Sequence, residues 1–191
     1  DKDQVSGTPS GTGYTAVSAG NNHTCALDAS GGIDCWGIND GTSVDRGQVS
    51  GTPSGTGYTA VDAGYDHTCA VDASGSLDCW GWNIVGQASP PTGTGYTAAG
   101  SGCFASCALD ASGSLDCWGW DSYGQVSGAP TGGGYTAVSA GYQHVCALDA
   151  AGAVHCWGTD DGSAEDYGQV ATTPIGPLIC DIHTPSTDAD G

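Results

Sequence analysis

Apolar and polar residues alternate along this chain in short bursts. Cys25 and Leu27 alternate with Ala26 and Asp28, and Ile33 and Cys35 with Asp34 and Trp36. A period of two is that of a β-strand, and no stretch carries the 3.6-residue period of a helix. The bursts recur at long range. The segment GYTAV begins at Gly13 and Gly57, returns as GYTAA at Gly95 and as GYTAV at Gly134, so successive units are 44, 38 and 39 residues long.

Each unit runs through GYTAVSAG, HTCALD, a DASGG or DASGS turn, an IDCWG or LDCWG segment, and a loop leading to GQV and a Gly/Pro/Thr stretch. This predicts four short strands per unit and an all-β fold: a β-propeller of about four four-stranded antiparallel blades. The expected organisation is an orphan outer strand over 1–11, repeats over 12–46, 47–85, 86–123 and 124–167, a last outer strand over 168–174, and a C-terminal strand and tail over 175–191. DQVSGTPSG at Asp3–Gly11 matches GQVSGTPSG at Gly47–Gly55, so the N-terminal segment reads as the fourth strand of an absent unit. Pro177–Ile182 occupies the place of a fifth first strand. Unpaired edges template pairing with another chain, so strand exchange between copies is expected, alongside membership of a longer propeller or simple capping of the outer blades.

The DASGG turn supplies a three-residue loop, Ala29-Ser30-Gly31, that sets Cys25 opposite Cys35. The same offset pairs Cys69 with Cys79, Cys107 with Cys117 and Cys146 with Cys156. Each bridge is expected to contribute roughly 2–3 kcal/mol through loop closure. Cys103 and Cys180 fall outside the pattern and are expected to pair with each other or between chains. The C-x2-C pairs of a zinc site are absent.

Composition narrows the function classes. Two basic residues against 21 acidic ones give a net charge of −19, which argues against nucleic acid and anionic membrane surfaces as partners. Ten cysteines in 191 residues point to an oxidising compartment, hence a secreted or cell-surface protein. No apolar run approaches the roughly 18 residues of a membrane span. A chain without methionine is expected to be a processed form or an excised segment.

The motifs AGNNHTCALDASGGIDCWG and AGYDHTCAVDASGSLDCWG resemble the regulator of chromosome condensation repeat family, whose blades carry an AG..H..AL…G.V..WG.N..GQ pattern. The resemblance runs from Gln4 to about Pro174 and implies a propeller. That family usually closes seven blades, and Ala105 stands here in place of the repeat histidine of the third copy. Its chromatin and small-GTPase roles match neither the charge nor the cysteine content. Nearer in style are bacterial extracellular members such as propeller-type protein inhibitors of beta-lactamase.

Comparison of the four copies separates scaffold from variable surface. The turns between second and third strands barely change, whereas the first-to-second loops read Asn21-Asn22, Tyr65-Asp66, Cys103-Phe104 and Tyr142-Gln143. The third-to-fourth loops read INDGTSVDR, WNIV, WDSY and TDDGSAEDY. Both variable classes belong at one end of the strands, so that end is the expected binding face, carrying Tyr65, Asp66, Trp82, Phe104, Trp120, Tyr123, Tyr142 and Tyr167. Trp36, Trp80, Trp118 and Trp157 recur in every copy and are expected to pack between blades.

Candidate calcium ligands are Asp40 and Asp45, with Asn39 beside them, and Asp160, Asp161, Glu165 and Asp166, set against a reading as solvated acidic loops. His23, His67 and His144 would suit a transition metal if they ringed the axis, but a repeated histidine more often bonds a neighbouring loop. No G-x-S-x-G, H-E-x-x-H or phosphate loop is present. The expected function is therefore an extracellular, non-enzymatic module needing no cofactor, which binds a protein or copies of itself. The alternatives are an inhibitor or receptor-like binder of one secreted protein, and a carbohydrate-binding module using Trp82 and Trp120.

Overall fold

The computed structural model describes residues 3–159 and 170. Four antiparallel three-stranded sheets follow one another: β1 (Tyr14–Ala19), β2 (His23–Asp28) and β3 (Ile33–Gly37); β4 (Tyr58–Ala63), β5 (His67–Asp72) and β6 (Leu77–Gly81); β7 (Tyr96–Ser101), β8 (Ala105–Asp110) and β9 (Leu115–Gly119); β10 (Tyr135–Ala140), β11 (His144–Asp149) and β12 (Val154–Gly158). Each sheet is one blade with its middle strand at the centre. Among the described residues no helix is long and apolar enough to cross a membrane.

The alternation predicts the register. Leu27 pairs with Ile33 and Cys25 with Cys35, and disulfides join Cys25–Cys35, Cys69–Cys79, Cys107–Cys117 and Cys146–Cys156. At the turn Gly31 has φ +80°, and Asp28 Oδ1 accepts hydrogen bonds from the Ser30 and Gly32 amides. Glycine takes that left-handed backbone without the Cβ clash other residues suffer.

The expected fourth strand is a tight turn instead. Gly51 N donates to Gly47 O and Thr52 N to Val49 O, bonds that curl the chain rather than extend it, and Gly47 at φ +83° starts the bend. Each turn seats against the blade that follows it: Trp80 Nε1 donates to Gln48 O, Trp118 to Gln87 O and Trp157 to Gln125 O. The N-terminal segment obeys the same rule, since Trp36 Nε1 donates to Gln4 O at 2.8 Å. Residues 3–7 form a turn lying on the first blade in place of the expected outer strand. Residues 160–169 and 171–191, with Pro177–Ile182 and Cys180, lie outside the described residues, while Cys103 is buried.

Blades pack face to face in chain order. One face of a blade offers its cystine and aliphatic residues, as Cys25, Leu27 and Ile33 do, and the next blade meets it with Tyr58, Val61, Ala70 and Trp80. The arrangement repeats between the second and third blades and between the third and fourth. Polar bonds mark the same joints: His23 Nε2 lies 2.7 Å from Thr68 Oγ1, and His67 Nε2 lies 2.7 Å from Ser106 Oγ. Ser106 gives its hydroxyl proton to Gln87 O, so it accepts from His67, which fixes the proton on Nε2. The outer blades' first strands, β1 and β10, do not pack on each other as neighbouring blades do, so the four blades form an open arc.

Candidate protein-binding face

Two variable loops of each blade are tied together by one backbone bond. The residue after the third strand donates to the residue before the middle strand: Ile38 N to Asn22 O, Trp82 N to Asp66 O, Trp120 N to Phe104 O and Thr159 N to Gln143 O, at 2.8–2.9 Å. Both loop classes therefore emerge at one end. In the outer blades this position carries Ile38 and Thr159, both buried, whereas in the middle blades it carries Trp82 and Trp120, half-buried.

Around those two indoles the rings gather. Phe104 lies 5.4 Å from Trp82, 5.3 Å from Trp120 and 5.4 Å from Tyr142 between ring centroids, and Trp120 lies 5.3 Å from Tyr123. Three blades contribute to this cluster. The contacts with Trp120 and Tyr142 are edge-to-face, which the ring quadrupole favours. The Arg46 guanidinium sits 5.5 Å from the Trp82 ring centroid and brings a loop of the first blade to the patch. Arg46 escapes a search for repeats because it lies in an insertion without a counterpart in the second and third units. Trp82 Nε1 is buried without a hydrogen-bond partner among the described residues.

The other expected face residues divide. Asp66 is only 6% exposed, and its Oδ1 accepts from Gln48 Nε2 at 3.0 Å and from Asn22 Nδ2 at 3.4 Å. Burial raises its pKa above the ordinary carboxylate value. It holds loops together and does not present an anion to solvent. Tyr65 accepts from Asn21 N and donates through its own amide to Gly102 O, beside an axial cleft of about 300 Å³ lined largely by glycines and alanines. Tyr167 lies outside the described residues.

Asp40 Oδ1 accepts from the Thr42 amide and hydroxyl, and Asp45 from Gly41 N and Gly47 N. These carboxylates shape their own loop, and no cluster of three or more metal-ligating side chains occurs among the described residues. Asp160, Asp161, Glu165 and Asp166 lie outside them. His23 and His67 stand at blade joints with pKa values lowered by burial to about 4.

With this geometry in place, likeness to known proteins becomes informative. Residues 14–48, 58–87, 98–125 and 135–169 each match the regulator of chromosome condensation (RCC1) repeat. The chain is similar to the ectodomain of the Physcomitrella patens receptor kinase CR4, with 28% identity and a TM-score of 0.63 over 76% of this chain and 39% of that one. It is also similar to the CRINKLY WD40 ectodomain of the Arabidopsis thaliana receptor kinase ACR4, with 25% identity and a TM-score of 0.57 over 76% of this chain and 49% of that one. Prp20p of Saccharomyces cerevisiae, described with its binding to Gsp1p and histones, shares the fold at 18% identity and a TM-score of 0.62, over 78% of this chain and 47% of that one. The chain thus spans under half the length of these structures. No curated protein matches it.

Proposed function

This chain belongs to the regulator of chromosome condensation (RCC1) repeat family, and we propose that it is a non-enzymatic protein-binding module working outside the cell. One observation carries the reading: Trp82, Phe104, Trp120, Tyr123 and Tyr142 form a continuous aromatic patch on the variable ends of three blades. Aromatic side chains dominate binding hot spots because they bury much area with few torsions to freeze. The uniform end of the arc is occupied differently, since its turns bond one blade to the next.

Four disulfides support an oxidising location, and the ectodomain likenesses agree with it. A net charge of −19 gives association a clear electrostatic preference for a partner without strong negative charge. Carbohydrate is the weaker reading, because Phe104 stands edge-on to Trp120 and tilted against Trp82, filling the space between the indoles that a sugar ring would need.

Selection of displayed peptides on the oxidised chain, run beside a glycan array, tests this. Peptides whose binding disappears in Phe104→Ala are the expected result. Glycan binding that depends on Trp82 and Trp120, with no peptide enriched, would replace the protein-binding reading with a carbohydrate one.

A further inference from the structure

We infer that Arg46 is the specificity-determining residue of the aromatic patch, and that it takes a carboxylate carried beside an apolar side chain of the partner. The inference rests on the protein-binding reading above and names what that face selects. Two sources share this chemistry: the C-terminal carboxylate of a peptide and the side chain of an Asp or Glu.

Arg46 is the only arginine in a chain with 21 acidic residues. Such a chain holds many carboxylates for a guanidinium, yet this exposed one makes no ion pair and no side-chain hydrogen bond among the described residues. Its one contact is the Trp82 ring, 5.5 Å from the centroid. Contact with a ring engages the charge of a guanidinium and leaves its five N–H donors open.

The neighbouring carboxylates are engaged elsewhere. Asp66 Oδ1 accepts from Gln48 and Asn22, and Arg46 acts on that group through space without an ion pair. Within the loop of Arg46, Asp40 accepts from Thr42, and Asp45 from Gly41 N and Gly47 N. An acceptor for Arg46 therefore has to come from outside.

The backbone under the guanidinium is held in place. Arg46 N donates to Oε1 of the fully buried Gln48, whose Nε2 donates to Val44 O and Asp66 Oδ1. A side chain that projects from a fixed loop loses less freedom on binding. Apolar groups stand on the same two loops that bring cation and indole together: Val44 is 37% exposed and Ile84 is 70% exposed. An ion pair alone is weak at an exposed site, so an apolar neighbour on the ligand supplies the burial that the pair lacks.

Charge decides between occupants. At a net charge of −19 the chain repels a carboxylate over most of its surface. Beside Arg46 that repulsion gives way to a pairing that a planar guanidinium makes through two parallel N–H···O bonds. One attractive point in a repelling field fixes register as well as affinity, because a shifted segment loses the pair and meets like charge. The fitting partner is neutral or basic overall and carries a single carboxylate. A basic segment without one answers the net charge but sets a like charge against Arg46.

Selection from two pools of random hexapeptides on the oxidised chain, one pool ending in free carboxylates and the other amidated, tests the assignment. The expected peptides carry a carboxylate beside an apolar residue, lose binding in Phe104→Ala, and weaken about tenfold or more in Arg46→Gln. Arg46→Lys keeps the charge without the planar fork and should regain only part of the affinity. Both substitutions leave the anchoring bonds, which involve the Arg46 backbone, intact. Circular dichroism checks that the variants stay folded. Enrichment confined to the free-acid pool identifies a peptide C-terminus, and Asp or Glu enriched in the amidated pool identifies a side chain; either result supports the inference. Phe104-dependent peptides that lack a carboxylate, or that bind Arg46→Gln as well as the wild type, would overturn it and leave the protein-binding reading standing. No enrichment in either pool, or only peptides indifferent to Phe104→Ala, would overturn both.

Discussion

Trp80 and Gln48, 32 positions apart, are joined by a hydrogen bond of 2.9 Å from the indole Nε1 to the backbone carbonyl. The same bond, spanning 31 or 32 positions, recurs in every blade and fastens each connecting turn to the sheet that follows it. Gln48 is fully buried, so its carbonyl has no water to fall back on. Trp80→Phe should keep most of the ring packing and still cost about 1–3 kcal/mol, the usual penalty for a buried polar group left unpaired. Trp36→Phe should cost less, because Gln4 is only half-buried and water can take the place of the indole. Thermal unfolding of the two variants under identical conditions makes the comparison.

That bond also explains what could and could not be read from the sequence. Period-two alternation and the ten-residue cysteine offset are local signals, so strands, hairpin register and disulfides were legible from Cys25 and Cys35 alone. The GQV segment carries an apolar Val49 between polar neighbours and looks like a short strand. Its curl comes from Gly47 and from the seat offered by Trp80, 32 residues downstream, which no local pattern contains. The aromatic patch was legible as a set of variable loop residues. The burial of Asp66 was not, because it depends on Asn22 arriving from the first blade and on Gln48 folding back from the connecting turn.

Gly75 and Gly152 occupy the same turn position in the second and fourth blades, at φ +78° and +84°. A Cβ on Gly75 would lie 2.3 Å from Gly95 N, whereas one on Gly152 would meet nothing within 4 Å. Gly152→Ala should therefore cost only the left-handed backbone term, roughly 1–2 kcal/mol. Gly75→Ala must also push the neighbouring blade away, so its loss of stability should clearly exceed that of Gly152→Ala. Equal melting temperatures for the two variants would contradict the turn-to-strand contact.

His23 and His67 are buried at their joints and titrate near pH 4 in the fold, against an ordinary 6.5. Between those values the unfolded chain binds protons that the folded chain refuses, so stability falls as pH drops from 6.5 to 4 and then levels with respect to these groups. Each histidine accounts for on the order of 3 kcal/mol across that window. Half-buried Asp62 and buried Asp66, with raised pKa values, work in the opposite direction at its acid end. The double variant His67→Ala, Ser106→Val copies the natural Ala105–Val145 joint and should flatten the pH dependence by one histidine's share. Denaturant unfolding at a series of pH values for both proteins isolates that difference.

Phe104 is the hub of the aromatic patch, touching Trp82, Trp120 and Tyr142, while Tyr123 touches Trp120 alone. An aromatic pair is worth ~0.5–1.5 kcal/mol beyond the area it buries, so Phe104→Ala should destabilise the chain more than Tyr123→Ala. Phe104→Ala also opens the indoles of Trp82 and Trp120 to water, and tryptophan emission should shift to the red while the four β-sheets keep their circular dichroism. A binding partner of this face should lose affinity in step with that shift, because the surface it recognises is the packed arrangement and not any single ring. If binding survived Phe104→Ala with the emission shifted, the contact surface would have to lie elsewhere on the arc.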